Sequence, residues 1–188
     1  MKIGILGWGS LIKEPGELLS SGDWQKDGPV LWIEFSRISQ SGIRAGCLTL
    51  VIDEDTGAEI CTYYTISQCT VLLQAITDLQ KREGTSSKNI GFFEVASGNF
   101  AGKAQKRQPK SCERIRAWAS GKGFDAIVWT ALPPQFHDIL GIPFTPAAAL
   151  NYLNSLPATI KDNALGYIHA APEQTMTPFR RLLLESHA

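Results

Sequence analysis

Two short stretches of this 188-residue chain carry residue types that could do chemistry. The first, Gly7-Trp8-Gly9-Ser10-Leu11, closes the apolar run from Ile3 to Leu6 with a glycine-rich corner and a hydroxyl. Glycine lets backbone N–H groups approach a ligand closely, and successive N–H groups in such a corner form a nest that suits a carboxylate or a developing oxyanion. The second, Arg82-Glu83-Gly84-Thr85, sets a carboxylate at the end of a helical pattern, where the helix dipole disfavours negative charge. Turned inward, Glu83 would have its pKa raised by burial and by the dipole together, which lets a carboxylate act as base and then as acid near neutral pH. The plainer alternatives are a tight turn that packs Trp8 into the core and a solvated surface glutamate.

The glycine corner has two further readings, and both fit poorly. A dinucleotide turn needs G-x-G-x-x-G opening a helix; here Ile12 stands at the third glycine position and Lys13-Glu14-Pro15-Gly16 interrupts the helix. A nucleophilic serine needs a base and an orienting acid, and the hydrolase elbow reads G-x-S-x-G; Ser10 is followed by leucine and isoleucine. The histidines, at 137, 169 and 187, all fall in the C-terminal part, so Ser10 reads as a hydroxyl donor rather than a nucleophile.

Eighteen basic side chains balance eighteen acidic ones, so no overall field would draw the chain to nucleic acid or to an anionic membrane. The four cysteines, Cys47, Cys61, Cys69 and Cys112, form no C-x-x-C pair and leave a zinc site without support. Cys47, Cys61 and Cys69 sit among apolar neighbours, as buried thiols do in a reducing compartment. The N-terminal run lacks a signal-peptide cleavage region, and no stretch nears the roughly 20 apolar residues of a membrane span; the expectation is a cytoplasmic protein. Nothing in the pattern bears on oligomeric state.

With 44% hydrophobic residues the chain can bury one substantial core, which predicts a single domain over 1–188, a core of about 1–132 with a helical extension of about 133–188. Strands are expected at 2–6, 30–37, 45–53, 58–66, 90–95 and 124–130 from apolar and β-branched runs bounded by turn residues. The Asp53-Glu54-Asp55-Thr56-Gly57 turn predicts that 45–53 folds back on 58–66 as a hairpin. Val71, Leu72, Ala75, Ile76 and Leu79 recur at helical spacing, with Ser67 as N-cap and Gly84 past the end. The basic stretch Lys103 to Lys110 reads as a solvated loop or edge. Ser111 caps a helix to about 119, and Thr145-Pro146 and Thr177-Pro178 start further helices; 158–171 has no clear assignment. Strands and helices do not alternate strictly, which favours an α+β fold with a mixed or antiparallel curved sheet.

The order of these features resembles the gamma-glutamyl cyclotransferase family. Its members open with a strand leading to a Y-G-S-L or Y-G-S-N loop, and here Trp8-Gly9-Ser10-Leu11 stands in that place. After strands and a helix they carry a catalytic glutamate followed by glycine, matched by "REGT" at 82–85; "EFSRISQSGIRAGCLTLVID" at 34–53 is similar to the family's second and third strands. The likeness covers about residues 3 to 95. It departs from the family pattern twice. Trp8 lacks the usual phenolic hydroxyl, and the aromatic that follows the catalytic glutamate is represented only by Phe92 and Phe93, which cannot hydrogen-bond.

The resemblance implies a small distorted β-barrel flanked by helices and an intramolecular acyl transfer: a gamma-glutamyl amide or peptide closes on itself, releasing 5-oxoproline and an amine, without metal or cofactor. It implies Glu83 as general acid and base. Substrate would lie against Gly7, Trp8, Gly9, Ser10 and Leu11, and the N–H groups of Trp8 to Leu11 would hold the α-carboxylate or the oxyanion. Arg37 and Arg44 are candidates for further contacts, since a guanidinium grips a carboxylate bidentately. Glu34 is the next acid in line should Glu83 fail. The alternative from a different class is a non-catalytic module of the same fold that binds a small molecule.

Overall fold

The computed structural model describes residues 1–186. The strands form two sheets. The larger, five-stranded sheet has β1 (Ile3–Gly7) near its middle, between β5 (Tyr63–Ile66) and β8 (Ala126–Thr130), and continues through β6 (Ile90–Glu94) to β7 (Asn99–Phe100). It is mixed, with β1 parallel to β8 and antiparallel to β5. The smaller sheet pairs β2 (Val30–Ile38) with β3 (Leu48–Ile52) and β4 (Ala58–Cys61). With the helices this is an α+β architecture; no closed barrel is found among the described residues.

Both faces of β1 are buried, as its unbroken apolar run requires. On one side α2 (Leu72–Glu83) packs on β8 and β6 and lays Ala75 and Leu79 against Ile3, Ile5 and Val128. On the other lies a larger apolar cluster that joins Leu6, Phe35 and Trp129 to side chains from the C-terminal quarter, including Phe136, Leu153, Ile168 and Phe179. The C-terminal helices are thus part of the same core and not an appendage to it. They are α5 (Phe136–Leu140), α6 (Pro146–Ser155), α7 (Ala158–Ala170) and α8 (Pro178–Ser186). The Thr145 hydroxyl caps α6 by accepting from the Ala148 N–H at 3.0 Å.

Five local expectations need correction. The helix expected to be capped by Ser111 starts at Pro109, with Gln108 at its N-cap, and Ser111 lies inside it. The 45–53/58–66 hairpin does not form: β3 and β4 each pair antiparallel with β2, β3 along Ile33–Ile38 and β4 along Val30–Ile33, so the chain leaves the turn in the direction it entered. Asp53 organises that turn, its carboxylate accepting from the N–H groups of Asp55 and Thr56 at 3.1 and 3.2 Å, and turn-forming residues do not dictate the exit direction. Ser67 does not cap α2; its hydroxyl accepts from the Cys69 N–H at 3.1 Å, and the helix opens after Val71. Most of the basic stretch from Lys103 is helical, as α3 (Gly102–Arg107) and the start of α4 (Pro109–Ser120), anchored by buried Ala104 and Cys112. Cys61 is exposed, whereas Cys47, Cys69 and Cys112 are buried thiols.

Glu34 is fully buried, and its carboxylate accepts from the Phe35 N–H at 2.8 Å and from the Phe179 N–H of α8 at 3.3 Å. Burial pushes its pKa up to about 7, against opposing hydrogen bonds from Thr177 and the backbone. The folded protein therefore holds a proton that the unfolded chain releases near the ordinary carboxylate value of 4.5, so this group's contribution is present below 4.5 and is lost as pH rises through 7. The expected loss is about 3 kcal/mol, from ~1.36 kcal/mol per pKa unit. Denaturant unfolding of the wild type and of Glu34→Gln at pH 4.5 and 8 checks this: the variant should lose most of that pH dependence.

Candidate active site

β1 delivers the glycine corner, and a single helical turn, α1 (Ser10–Lys13), follows it directly. The corner forms one wall of a cavity of about 290 Å³. Residues 7–11, Arg37, Arg44 and Glu83, all singled out in the sequence, line this one space together with Arg82 and Tyr167. Neither Phe92 nor Phe93 reaches it, and Glu34 is not among its walls. His137 and His169 do not line it either, and His187 lies outside the described residues.

The two glycines of the corner do different work. A Cβ on Gly7 would stand 2.8 Å from the Trp24 ring, so this glycine admits a core side chain rather than a ligand. A Cβ on Gly9 would meet Leu50 Cδ1 at 3.2 Å and the Tyr167 hydroxyl at 3.3 Å. Trp8 is 6% exposed and belongs to the larger apolar cluster as well as to the cavity wall, so the tight-turn reading and the site reading of the corner both hold. Its carbonyl accepts from the buried Thr175 hydroxyl at 2.9 Å, which ties the corner to the segment before α8.

Glu83 faces the interior because of its place on α2. Ala75 and Leu79 are the buried residues of that helix, and Glu83 continues the same stripe one turn further on. Gly84 then ends the helix in the left-handed conformation, φ 58°, at the cost-free residue for that geometry. The Glu83 side chain is 16% exposed, and its Oε1 accepts from Arg82 Nη1 at 2.8 Å. Burial raises its pKa, while Arg82 and, more weakly, Arg44 pull it down. Arg82 is held in turn, donating from Nη2 to the Glu14 carbonyl at 2.6 Å.

Arg44 ends a 3-10 turn, Gly42–Arg44, and spans the rim: Nη1 donates to Ser10 Oγ at 3.1 Å and Nη2 to the Glu14 carboxylate at 3.0 Å. Its guanidinium lies 4.6 Å from the centre of the Tyr167 ring. Arg37 on β2 donates to the Pro133 carbonyl at 3.1 Å and makes no ion pair among the described residues. Burial and nearby Arg107 lower its pKa. Three guanidinium groups and one carboxylate thus line the space, which gives it net positive charge and suits an anionic ligand. No group of three or more metal-ligating side chains occurs among the described residues, and no described helix is long and apolar enough to cross a membrane.

Tyr167 is the participant that sequence reasoning missed. It comes from α7, within the segment left without assignment, and its only signal would have been a phenol among the small and apolar residues of that helix. Its ring packs edge-on to Phe35, with centroids 6.0 Å apart.

Arg82→Met leaves Glu83 with Arg44 as its remaining cationic neighbour, so the carboxyl should titrate at higher pH, readable by side-chain carboxyl NMR. Loss of the charge-assisted bonds should also lower stability by about 1.5–3 kcal/mol. Comparison with known families, curated proteins and solved structures gives no match for this chain.

Proposed function

We propose that the protein is an enzyme of the gamma-glutamyl cyclotransferase type, converting a gamma-glutamyl amide or peptide to 5-oxoproline and a free amine. The observation that carries this reading is a desolvated carboxylate, Glu83, in the same cavity as the glycine corner and two arginines, Arg37 and Arg44.

The reaction joins two groups of one molecule. The substrate's α-amine attacks its γ-carbonyl carbon, the carbonyl electron pair moves to oxygen, and the tetrahedral species collapses with cleavage of the bond to the leaving nitrogen. A cavity that folds the substrate into attack geometry can supply ~7–11 kcal/mol in well-oriented systems. The Ser10 and Leu11 N–H groups at the opening of α1 would take the α-carboxylate, with Ser10 Oγ and Arg44 beside them, while the Ile12 N–H is used by the Gly9 carbonyl at 3.2 Å. Arg37, without a carboxylate of its own, supplies a second anchor for negative charge.

Proton transfer falls to Glu83. Its carboxylate takes a proton from the α-ammonium, which frees the nucleophilic lone pair, and gives that proton to the leaving nitrogen; it then takes the second proton, shed by the attacking nitrogen once that nitrogen has bonded to the carbonyl carbon, and passes it to the released amine, which departs as an ammonium, so the residue ends as it began. No donor among the described residues bonds its Oε2, which leaves that oxygen available while Arg82 holds Oε1. Burial makes Glu83 a stronger base than an ordinary carboxylate, and the paired guanidinium keeps enough of it ionised to accept a proton.

Incubation with a panel of gamma-glutamyl amides, glutathione and gamma-glutamyl amino acids among them, should release 5-oxoproline, detectable by mass spectrometry. Glu83→Gln should reduce turnover by about 10²–10⁴-fold, the range of general acid–base catalysis. The acid limb of the wild-type kcat/KM profile should lie above the ordinary carboxylate range. Absence of 5-oxoproline with every amide, or full activity in Glu83→Gln, would overturn the proposal.

A further inference from the structure

Tyr167 stands in the cavity with its hydroxyl held from one side only. The Leu50 N–H of β3 donates to it at 3.3 Å, and no described residue accepts its proton. The hydroxyl lies at Gly9, where even one added carbon would be 3.3 Å away, so the absence of a side chain there keeps the phenol against the corner. The Arg44 guanidinium over the ring and the edge-on contact with Phe35 fix the plane of the ring. α7 itself cannot shift easily, because Ala164 and Ile168 are fully buried on its core side. A donor whose acceptor side is anchored, whose ring is fixed and whose proton has no protein partner is preorganised to bond a ligand oxygen.

We infer that Tyr167 is a further catalytic residue, donating a hydrogen bond to the substrate's γ-carbonyl oxygen as that oxygen takes on negative charge. The inference rests on the cyclotransfer reading above. No proton need leave the phenol. When the α-amine nitrogen bonds to the carbonyl carbon, the π pair moves to oxygen and the Tyr167 bond shortens; when the C–N bond to the leaving amine breaks, the pair returns and the bond relaxes. Burial raises the phenol's pKa, opposed by the Leu50 N–H and by Arg44, so near neutral pH the group remains a donor and cannot compete with Glu83 as base. The division of labour follows: Glu83 moves the proton, the corner and its arginines hold the carboxylate, and Tyr167 meets the oxyanion.

A donor that acts mainly in the transition state affects kcat, whereas one that holds the ground-state carboxylate affects KM. Kinetics of 5-oxoproline release are therefore measured for wild type and Tyr167→Phe. The expected result is a fall in kcat of about 10²-fold or more, the range for one lost oxyanion donor, with KM changed little. Unchanged kcat, or a rise in KM alone, would overturn the role of Tyr167 and leave the cyclotransfer reading standing. No product from the wild type would overturn both. Should Tyr167→Phe not fold, 3,5-difluorotyrosine at 167 decides the matter, since it keeps the hydroxyl and ring while lowering the phenol pKa. An alkaline limb in kcat at lower pH than in the wild type supports the inference, and an unmoved profile overturns it.

Discussion

An acid that extends an apolar stripe is the constraint on which the site depends. Ala75 and Leu79 are held under α2 by the five-stranded sheet, and the helical repeat gives Glu83 the same heading whether or not its charge suits the interior. A carboxylate taken from water is tolerated only beside compensating charge, and the neighbouring guanidinium supplies it. Arg82 in turn is oriented by the Glu14 carbonyl, just beyond the turn that follows the glycine corner. The packing of one helix thus places the carboxylate, requires its counter-charge and draws the glycine corner into the same space.

The positive character of the cavity follows from how the remaining charges are shared out. Glu14 sits outside and answers Arg44, Glu83 sits inside and answers Arg82, and Arg37 is answered only by a backbone carbonyl. Leaving a guanidinium half-buried without a carboxylate costs stability. Such an arrangement makes sense where an incoming anion completes the pairing.

Much of this was legible in the residue order, for identifiable reasons. The glycine corner, the acid before Gly84 and the two arginines are all read from short-range pattern, and the structure brings them to one cavity. The stripe that turns Glu83 inward was also there to be read, in the spacing of 75, 79 and 83. What could not be read was long-range. The exit from the Asp53 turn depends on β2 pairing β3 along its second half and β4 along its first, which no turn residue specifies. Tyr167 belongs to a helix with weak amphipathic character, and its approach to Gly9 depends on the packing of α7 against β3 and α1. Tyr167 thus reaches the glycine corner from a distant part of the chain.

The hydrogen bond from Thr175 to the Trp8 carbonyl joins with the burial of Ile168 and Phe179 to make the C-terminal helices a fixed wall. A wall so embedded cannot swing aside without exposing the interior, so entry is limited by the aperture rather than by a hinge. At about 290 Å³ the cavity lies at the small end of ligand sites, which span ~300–1,000 Å³. A room of that size takes in only a small group, so on any longer ligand the remainder would lie in water.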